Sequence, residues 1–460
     1  MYNPSAMNYE PAYQEALDYL YRYVDYSLKK NFIYSPENFN LERMRAFMQM
    51  VGNPQDTYPT LHIAGTKGKG SVSALCASAL RAAGYCTGLY TSPHMLDFCE
   101  RIQVDGVPMS HPDFVLLVDE LKPHIATVPQ ITFFEITTAL AFLYFHRRQV
   151  DAAVIEVGLG GRLDSTNIIT PLVSVITSLS YDHTQVLGNT LAEIAGEKAG
   201  IIKPGVPVVL SPQKEEANGV VARIAAERGA PLIQAGVDYL FRPLFHSLEG
   251  QSMLVERAGE VEAAEAVQLE IPLLGLHQVE NACVAFAALE AVRGRGLRIE
   301  QADIVKGFAQ VSWPGRFEIL RRTPPVLVDA AHNRDSALRL RETIDDYFPN
   351  IPVILVIGAS EDKDIEGIFT ELLPRVRHLV ATQAVHPRAI EPVRLVEMAN
   401  QMGYPATPVS GVDQAMDEAL RLAGTECLVL VTGSVFLVAE ARQAWAEKAG
   451  RTFKDAREDS

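Results

Sequence analysis

Apolar residues gather in short runs along this chain, and most runs stop at a glycine or polar side chain before helically spaced residues begin. The first such unit is Thr60 to Ser71, TLHIAGTKGKGS. Leu61 and Ile63 sit in an apolar strand ending at Ala64, a glycine-rich turn follows, and Val72 to Ala83 reads as a small-residue helix. Upstream, Tyr9 to Leu28 places Ala16, Leu17, Leu20, Tyr21 and Val24 at helical spacing, so an amphipathic helix is expected against the first domain. Downstream, Gly88 to Thr91 reads as a strand that delivers Ser92, Pro93 and His94 into a loop. Glu100 to Val107 alternates towards a turn at Asp105 and Gly106. The run from Asp151, AAVIEVGLGG, is a buried parallel strand broken by one acid, Glu156, and PLVSVITSLSYDH is another, ending in Asp182 and His183. Leu191 to Ala199 is expected as a helix, Pro207 to Leu210 as a strand, Ser247 to Glu270 as an acidic, irregular stretch and Asn281 to Val292 as an apolar helix.

The alternation restarts after Trp313-Pro314-Gly315, with short apolar runs at Val326 to Val328, Val353 to Ile357, Leu379 to Ala381 and Leu428 to Val431. The expected fold is therefore α/β: a doubly wound, mostly parallel sheet with a phosphate loop in an N-terminal domain, residues 1–312, then a smaller α/β domain, 313–460. The last residues, Lys448 to Ser460, are charged and expected to fray.

Composition narrows the class. A chain of 460 residues exceeds what one core usually serves, which favours two domains. Its net charge of −15 argues against broad binding to nucleic acid or anionic lipid, so any phosphate site must be local. Five cysteines without a C-x-x-C pair disfavour a disulfide framework or zinc ribbon, and a reduced, cytoplasmic protein is expected. The N-terminus has no basic-then-apolar signal pattern. The most membrane-like run, Ile136 to Phe145, is closed by His146, Arg147 and Arg148 and is too short to span, so a buried helix is expected.

The glycine loop suits a polyphosphate. Gly65, Gly68 and Gly70 let backbone amides converge on anionic oxygens at a helix N-terminus, Lys69 adds a charge and Ser71 a hydroxyl. The spacing departs from G-x-x-x-x-G-K-[ST], and a plain strand-to-helix turn is the ordinary alternative. The loop, Ser92, Glu156 and His183 follow separate expected strands, where open α/β sheets bind ligands. A carboxylate, a hydroxyl and an imidazole beside a triphosphate make a Mg²⁺ site. Taken singly, Ser92 reads as a cap, Glu156 as a partner of Arg162 and His183 as a surface histidine.

The motifs AGTKGKGS, YTSPH, IEVGLGGRLDSTN, YDHTQVLGNTLAEIAGEKAGIIKPG, GLHQVENA, WPGRFE and DAAHN stand in the order seen in folylpolyglutamate synthases and bifunctional dihydrofolate synthases, of the Mur ligase superfamily. The chain resembles that family from Tyr9 to Glu440. The resemblance implies a monomeric ATP-dependent ligase that joins L-glutamate to a folate or dihydropteroate carboxyl group. It implies that Gly65, Thr66, Gly68, Lys69, Gly70 and Ser71 form the phosphate loop and that Ser92, Glu156 and His183 bind magnesium. It further implies a carbamylated Lys198, which is otherwise a helix-surface lysine, nucleotide contacts from Asn281 and Arg316, and a nucleotide and glutamate role for Asp329 and His332. Lys67 replaces the family's usual asparagine, adding either a second cation near the phosphates or a solvated loop charge. Ala330 replaces a commoner glycine.

The leaving-group problem then dictates a mechanism, since a carboxylate must be activated before an amine can displace its oxygen. Transfer of the ATP γ-phosphoryl group gives an acyl phosphate, with Lys69 and Mg²⁺ stabilising the charge. Alignment of both reagents suggests closure about a hinge at Trp313 to Gly315. Two alternatives are a cell-wall precursor ligase, disfavoured because no UDP-sugar domain precedes the glycine loop, and a non-catalytic nucleotide-binding module.

Overall fold

The strand Thr60–Ala64 (β1) is buried at every position, because a strand flanked by parallel neighbours and covered on both faces has no solvent side. It belongs to a computed structural model that describes residues 9–24, 39–259, 266–448 and 450. The remaining strands of its sheet are β2 (Thr87–Tyr90), β3 (Ile102–Val104), β4 (Val107–Pro108), β5 (Ala152–Glu156), β6 (Val173–Ile176), β7 (Val208–Leu210) and β8 (Leu232–Gln234). They pair in the order β4-β3-β2-β5-β1-β6-β7-β8. Every pairing from β2 through to β8 is parallel, whereas β2–β3 and β3–β4 are antiparallel and close one edge. The edge turn lies at Asp105 and Gly106, both with positive φ.

Two stretches differ from the sequence reading. Glu100 to Val107 is not one strand: a 3-10 turn, Phe98–Arg101, capped by Asp97, takes up its start. Ser247 to Glu270 is not irregular. After β9 (Tyr239–Ser247) come β10 (Gly250–Arg257) and β11 (Val267–Ile271), paired in the order β11-β10-β9. Gln251, Met253 and Val255 turn inwards on one strand and Val267, Leu269 and Ile271 on the other. The acids on the outward positions hid this period-two pattern. Residues 260–265 lie outside the described ones, as do residues 25–28 of the expected N-terminal helix, observed as Tyr9–Tyr21, and the expected frayed tail from 451 onwards.

The C-terminal sheet contains β12 (Glu318–Arg322), β13 (Pro325–Val328), β14 (Val353–Ile357), β15 (Val376–Ala381), β16 (Ala406–Pro408) and β17 (Leu428–Thr432). Its order is β12-β13-β17-β14-β15-β16, with only β12–β13 antiparallel. Apolar residues from alternate positions of β14 enter separate cores on the two faces: Leu355 and Ile357 on one, Ile354 and Val356 on the other. The fold is thus α/β, with a larger mostly parallel sheet and a smaller second one. The chain divides into two compact units, Met1–Phe241 with Val255–Ala266 and Glu280–Phe308, and Arg242–Leu254 with Val267–Val279 and Ala309–Ser460.

Helix Phe133–Arg147 begins with a Thr132/Glu135 capping box and buries nearly its whole length. Among the described residues no helix is long and apolar enough to cross a membrane. Helix Lys69–Ala82 is gripped more closely by helix Gln301–Ala309: Ser78 Oγ donates to the Gly307 carbonyl at 2.6 Å. A Cβ on Gly307 would collide with the Ala79 backbone, which cannot yield as a side-chain tip could. Gly307→Val is accordingly expected to destabilise the protein by about 1–3 kcal/mol or more, and chemical denaturation against the parent measures it. An unchanged denaturation midpoint would show that these helices separate without cost.

Candidate active site

Gly65 follows β1 directly, and the hydrogen bonds of the next residues explain the loop's shape. The Thr66 and Lys67 amides both donate to the Ser178 carbonyl, at 2.9 and 3.0 Å, and Thr66 Oγ1 donates to Ser180 O at 3.2 Å. The loop is therefore fastened to the segment after β6, its parallel neighbour. A Cβ at Gly65 would strike Thr177 Oγ1, and one at Gly68 would strike the buried Asn281 Oδ1. Both glycines also have positive φ. Gly68 caps helix Lys69–Ala82 without any side-chain acceptor, so the first-turn amides that include Gly70 and Ser71 are left for an anion from elsewhere.

At the end of β5, Glu156 is almost fully buried. One carboxylate oxygen lies 3.8 Å from Lys69 Nζ, and the other accepts the Ser92 backbone amide at 3.3 Å. Arg162, read from the sequence as a partner for Glu156, forks onto Glu197 at 2.7 Å. The structure thus gathers three of the expected residues, Lys69, Ser92 and Glu156. Asp164, absent from the sequence reading, fixes the turn after Glu156: it accepts the Gly158 and Leu159 amides at 3.1 and 2.9 Å and Thr166 Oγ1 at 2.5 Å. Thr166 Oγ1 also meets the fully buried His62 Nε2 at 2.9 Å. Burial pushes His62 down to about 3 and raises Asp164, so the imidazole stays neutral. The available signal was D-x-T in GRLDSTN, a capping pattern that sets Asp164 ahead of a 3-10 turn.

Lys198 is not on the surface. It is 5% exposed, and its Nζ donates to the Gly65 carbonyl at 2.9 Å. Burial, reinforced by the charge of Lys69, lowers it to about 7, with Asp182 opposing. Lys67 is no free loop charge either: it pairs with Asp182 at 3.1 Å, both side chains largely covered. His183 does not end β6. It stands seven residues beyond it as the left-handed N-cap of a short helix, Thr184–Leu187, with its side chain 47% exposed and Nε2 3.8 Å from Asp182.

In the second unit Asp329 follows β13 and accepts two backbone amides, Phe317 at 2.7 Å and Ala331 at 2.8 Å. Burial raises its carboxyl, and the Arg316 charge works against that rise. His332 Nδ1 contacts the Ala330 carbonyl at 2.9 Å, which places the proton on Nδ1. The aspartate thereby ties WPGRFE to DAAHN and sets Arg316 and His332 on either side of one anchor.

Comparison with known proteins identifies the family. The Mur ligase middle domain matches residues 63–289, and the glutamate ligase domain of Mur ligases matches residues 315–435. A Bacillus subtilis dihydrofolate synthase/folylpolyglutamate synthase is 33% identical over 454 residues, 94% of this chain and 99% of the relative. A Mycobacterium tuberculosis folylpolyglutamate synthase complexed with ADP superposes with a TM-score of 0.87 at 32% identity, covering 95% of this chain and 99% of the other. An Escherichia coli FolC in complex with DHPP and ADP gives 0.83 at 30%, covering 96% and 100%. With its glycine loop, its buried Glu156 and Lys198 and both ligase domains in place, this chain belongs to the dihydrofolate synthase/folylpolyglutamate synthase family of ATP-dependent Mur ligases.

Proposed function

We propose that this chain adds L-glutamate to the carboxyl group of dihydropteroate, of a reduced folate, or of both, through an acyl phosphate. The observation that carries the reading is Lys69, placed at a helix N-terminus without a side-chain cap and 3.8 Å from the buried Glu156. The names of the relatives support the substrate class, since one such structure is titled a complex with AMPPCP and folate and another a complex with DHPP and ADP.

Lys69 and the first-turn amides stabilise negative charge while the γ-phosphoryl group passes to the acceptor carboxylate. The glutamate amine then forms the C–N bond, loses a proton, and the C–O bond to phosphate breaks. Ser92, Glu156 and His183 would hold Mg²⁺, a set of oxygen donors and one imidazole that suits an ion keeping several waters. When bound it neutralises charge between phosphate oxygens. Asn281 and Arg316 are assigned to the nucleotide, and Asp329 and His332 to the nucleotide and glutamate side. Residues 1–312 act as the ATP-binding domain and 313–460 as the ligase domain of a cytoplasmic monomer.

Carbamylation of Lys198 belongs to the same reading. A lysine held near 7 presents a neutral amine, whose nitrogen attacks carbon dioxide and releases a proton. The product faces the site with a carboxylate in place of an ammonium.

Phosphate release from ATP, with purified protein, glutamate and either dihydropteroate or tetrahydrofolate, tests the assignment. Stimulation by one pterin identifies the substrate, stimulation by both shows bifunctionality, and stimulation by neither sinks the folate reading. Lys69→Ala is expected to abolish the stimulated release, and full activity in that variant would contradict the role given to the loop.

Lys198 also makes a prediction about pH. Its folded value lies near 7 against an ordinary 10.5, so between those limits the unfolded chain binds the extra proton. Stability attributable to this group therefore rises with pH across that window and is lowest below it. In carbon-dioxide-free buffer, the stability of the parent relative to Lys198→Met should rise with pH between about 7 and about 10, by a few kcal/mol at most, on top of a pH-independent cost to the variant from the lost hydrogen bond to Gly65. Urea midpoints across the range measure this, and a difference independent of pH would contradict the lowered value.

A further inference from the structure

The loop that follows Ser92 carries a second cluster, apart from the ligase chemistry. Asp97, Cys99 and His111 bring a carboxylate oxygen, a thiol sulfur and an imidazole nitrogen within 4.8 Å of one another, the one such group of three among the described residues. These side chains come from different elements: Asp97 and Cys99 from the capped 3-10 turn Phe98–Arg101, and His111 from the first position of helix His111–Ile125. Around them the surroundings are ordered. Asp97 Oδ1 accepts the Cys99 amide at 2.8 Å and the Tyr13 hydroxyl at 3.2 Å, which leaves Oδ2 aimed at His111 Nε2, 2.8 Å away. The Tyr13 ring stacks on the imidazole at 3.7 Å and an interplanar angle of 4°. Cys99 is buried and not in a disulfide.

The other imidazole nitrogen decides what this cluster can bind. His111 Nδ1 lies 3.0 Å from Glu10 Oε1, so Glu10 accepts the Nδ1 proton and Nε2 points its remaining valence at Asp97. A carboxylate on the far nitrogen of a histidine is the arrangement that fixes the tautomer of a metal ligand and raises its basicity. Nε2 and Asp97 Oδ2 face one another at 2.8 Å, so both present donor atoms to a cation placed between them and Cys99. One sulfur, one nitrogen and one oxygen donor select a borderline-soft ion over Mg²⁺ or Ca²⁺. Tetrahedral Zn²⁺ needs ligand atoms about 3.3–3.8 Å apart, so Nε2 and Oδ2, 2.8 Å apart in the structure, would part on binding.

We propose that Asp97, Cys99 and His111 form a Zn²⁺ site, with Glu10 orienting the histidine and water in the fourth position. Binding releases the proton of the Cys99 thiol to solvent, and the imidazole ligates through Nε2 while its Nδ1 proton stays with Glu10. The ion thereby staples the N-terminal helix Tyr9–Tyr21, which supplies Glu10 and Tyr13, to the turn behind Ser92.

Metal binding by the intact chain, stripped of metals and kept in excess Mg²⁺, tests the site. A Zn²⁺ titration against a chromophoric chelator is expected to give one equivalent per chain, and Co²⁺ in its place should show sulfur-to-cobalt charge-transfer absorption. Cys99→Ser should remove that absorption, and His111→Ala and the surface change Glu10→Gln should each weaken Zn²⁺ at least about tenfold. His111 is partly exposed, so its variant decides the matter if the buried Cys99→Ser fails to fold. No stoichiometric Zn²⁺ binding at micromolar concentration overturns the proposal, as does binding that His111→Ala and Glu10→Gln leave unchanged.

Discussion

Lys198 donates to the Gly65 carbonyl from a position where its own charge is costly, and the shape of the active-site loop depends on that contact. A glycine carbonyl just after a central strand must find a donor once the chain turns away from the ladder. Here the donor comes from helix Leu191–Ala199, which a Thr190/Glu193 capping box starts at a fixed point. A shift of one residue in that helix would turn the lysine off the loop. Amides of Thr66 and Lys67 complete the fastening from the β6 side, so two elements hold a loop that has no side chains of its own at Gly65 and Gly68. The buried lysine is thus both a strut and a group whose charged form burial disfavours.

Much of this could be read from sequence because period and punctuation coincide with the fold. Leu191 to Ala199 appears with its expected limits, and the acid closing β5 sits where a buried apolar run stops at a single carboxylate. What could not be read was pairing. Whether Glu156 meets Arg162 or Lys69 depends on which way the chain leaves β5, and Arg162 follows two glycines that allow either exit. Lys198 resembled any lysine on a short amphipathic helix, and only the strand neighbours of β1 show that its face is covered. In Ser247 to Glu270 the acids drew attention away from an alternation that packing obeys. His183 illustrates a further limit: its distance from β6 rests on a left-handed residue that no periodicity announces.

The second unit solves a related problem with the opposite charge. Asp329 follows a buried strand as Gly65 does, but it is the side chain that reaches back, accepting amides from Phe317 and Ala331. Phe317 has positive φ, which is unfavourable for a bulky residue, and the carboxylate holds its amide in that conformation. The Trp313 to Phe317 segment therefore has a defined course beside β13, whatever motion its proline and glycine permit. Arg316 is carried along as the residue between a glycine turn and that anchored amide.

Lys67 follows from the same electrostatics. Around the loop stand three lysines, Lys67, Lys69 and Lys198, and three buried or nearly buried acids, Glu156, Asp164 and Asp182. Without Lys67, Asp182 would lose its closest cation and Lys198 one of the charges that lower it. Replacing a neutral loop residue by lysine is thus tolerated because a carboxylate already waits 3.1 Å away, and the pair keeps Lys67 turned towards β6 while Lys69 faces Glu156. Under the proposed reading, a triphosphate at the helix N-terminus would meet Lys69 as a full charge, with Lys67 paired to Asp182. The lysine at position 67 thus anchors the loop through Asp182 on the β6 side.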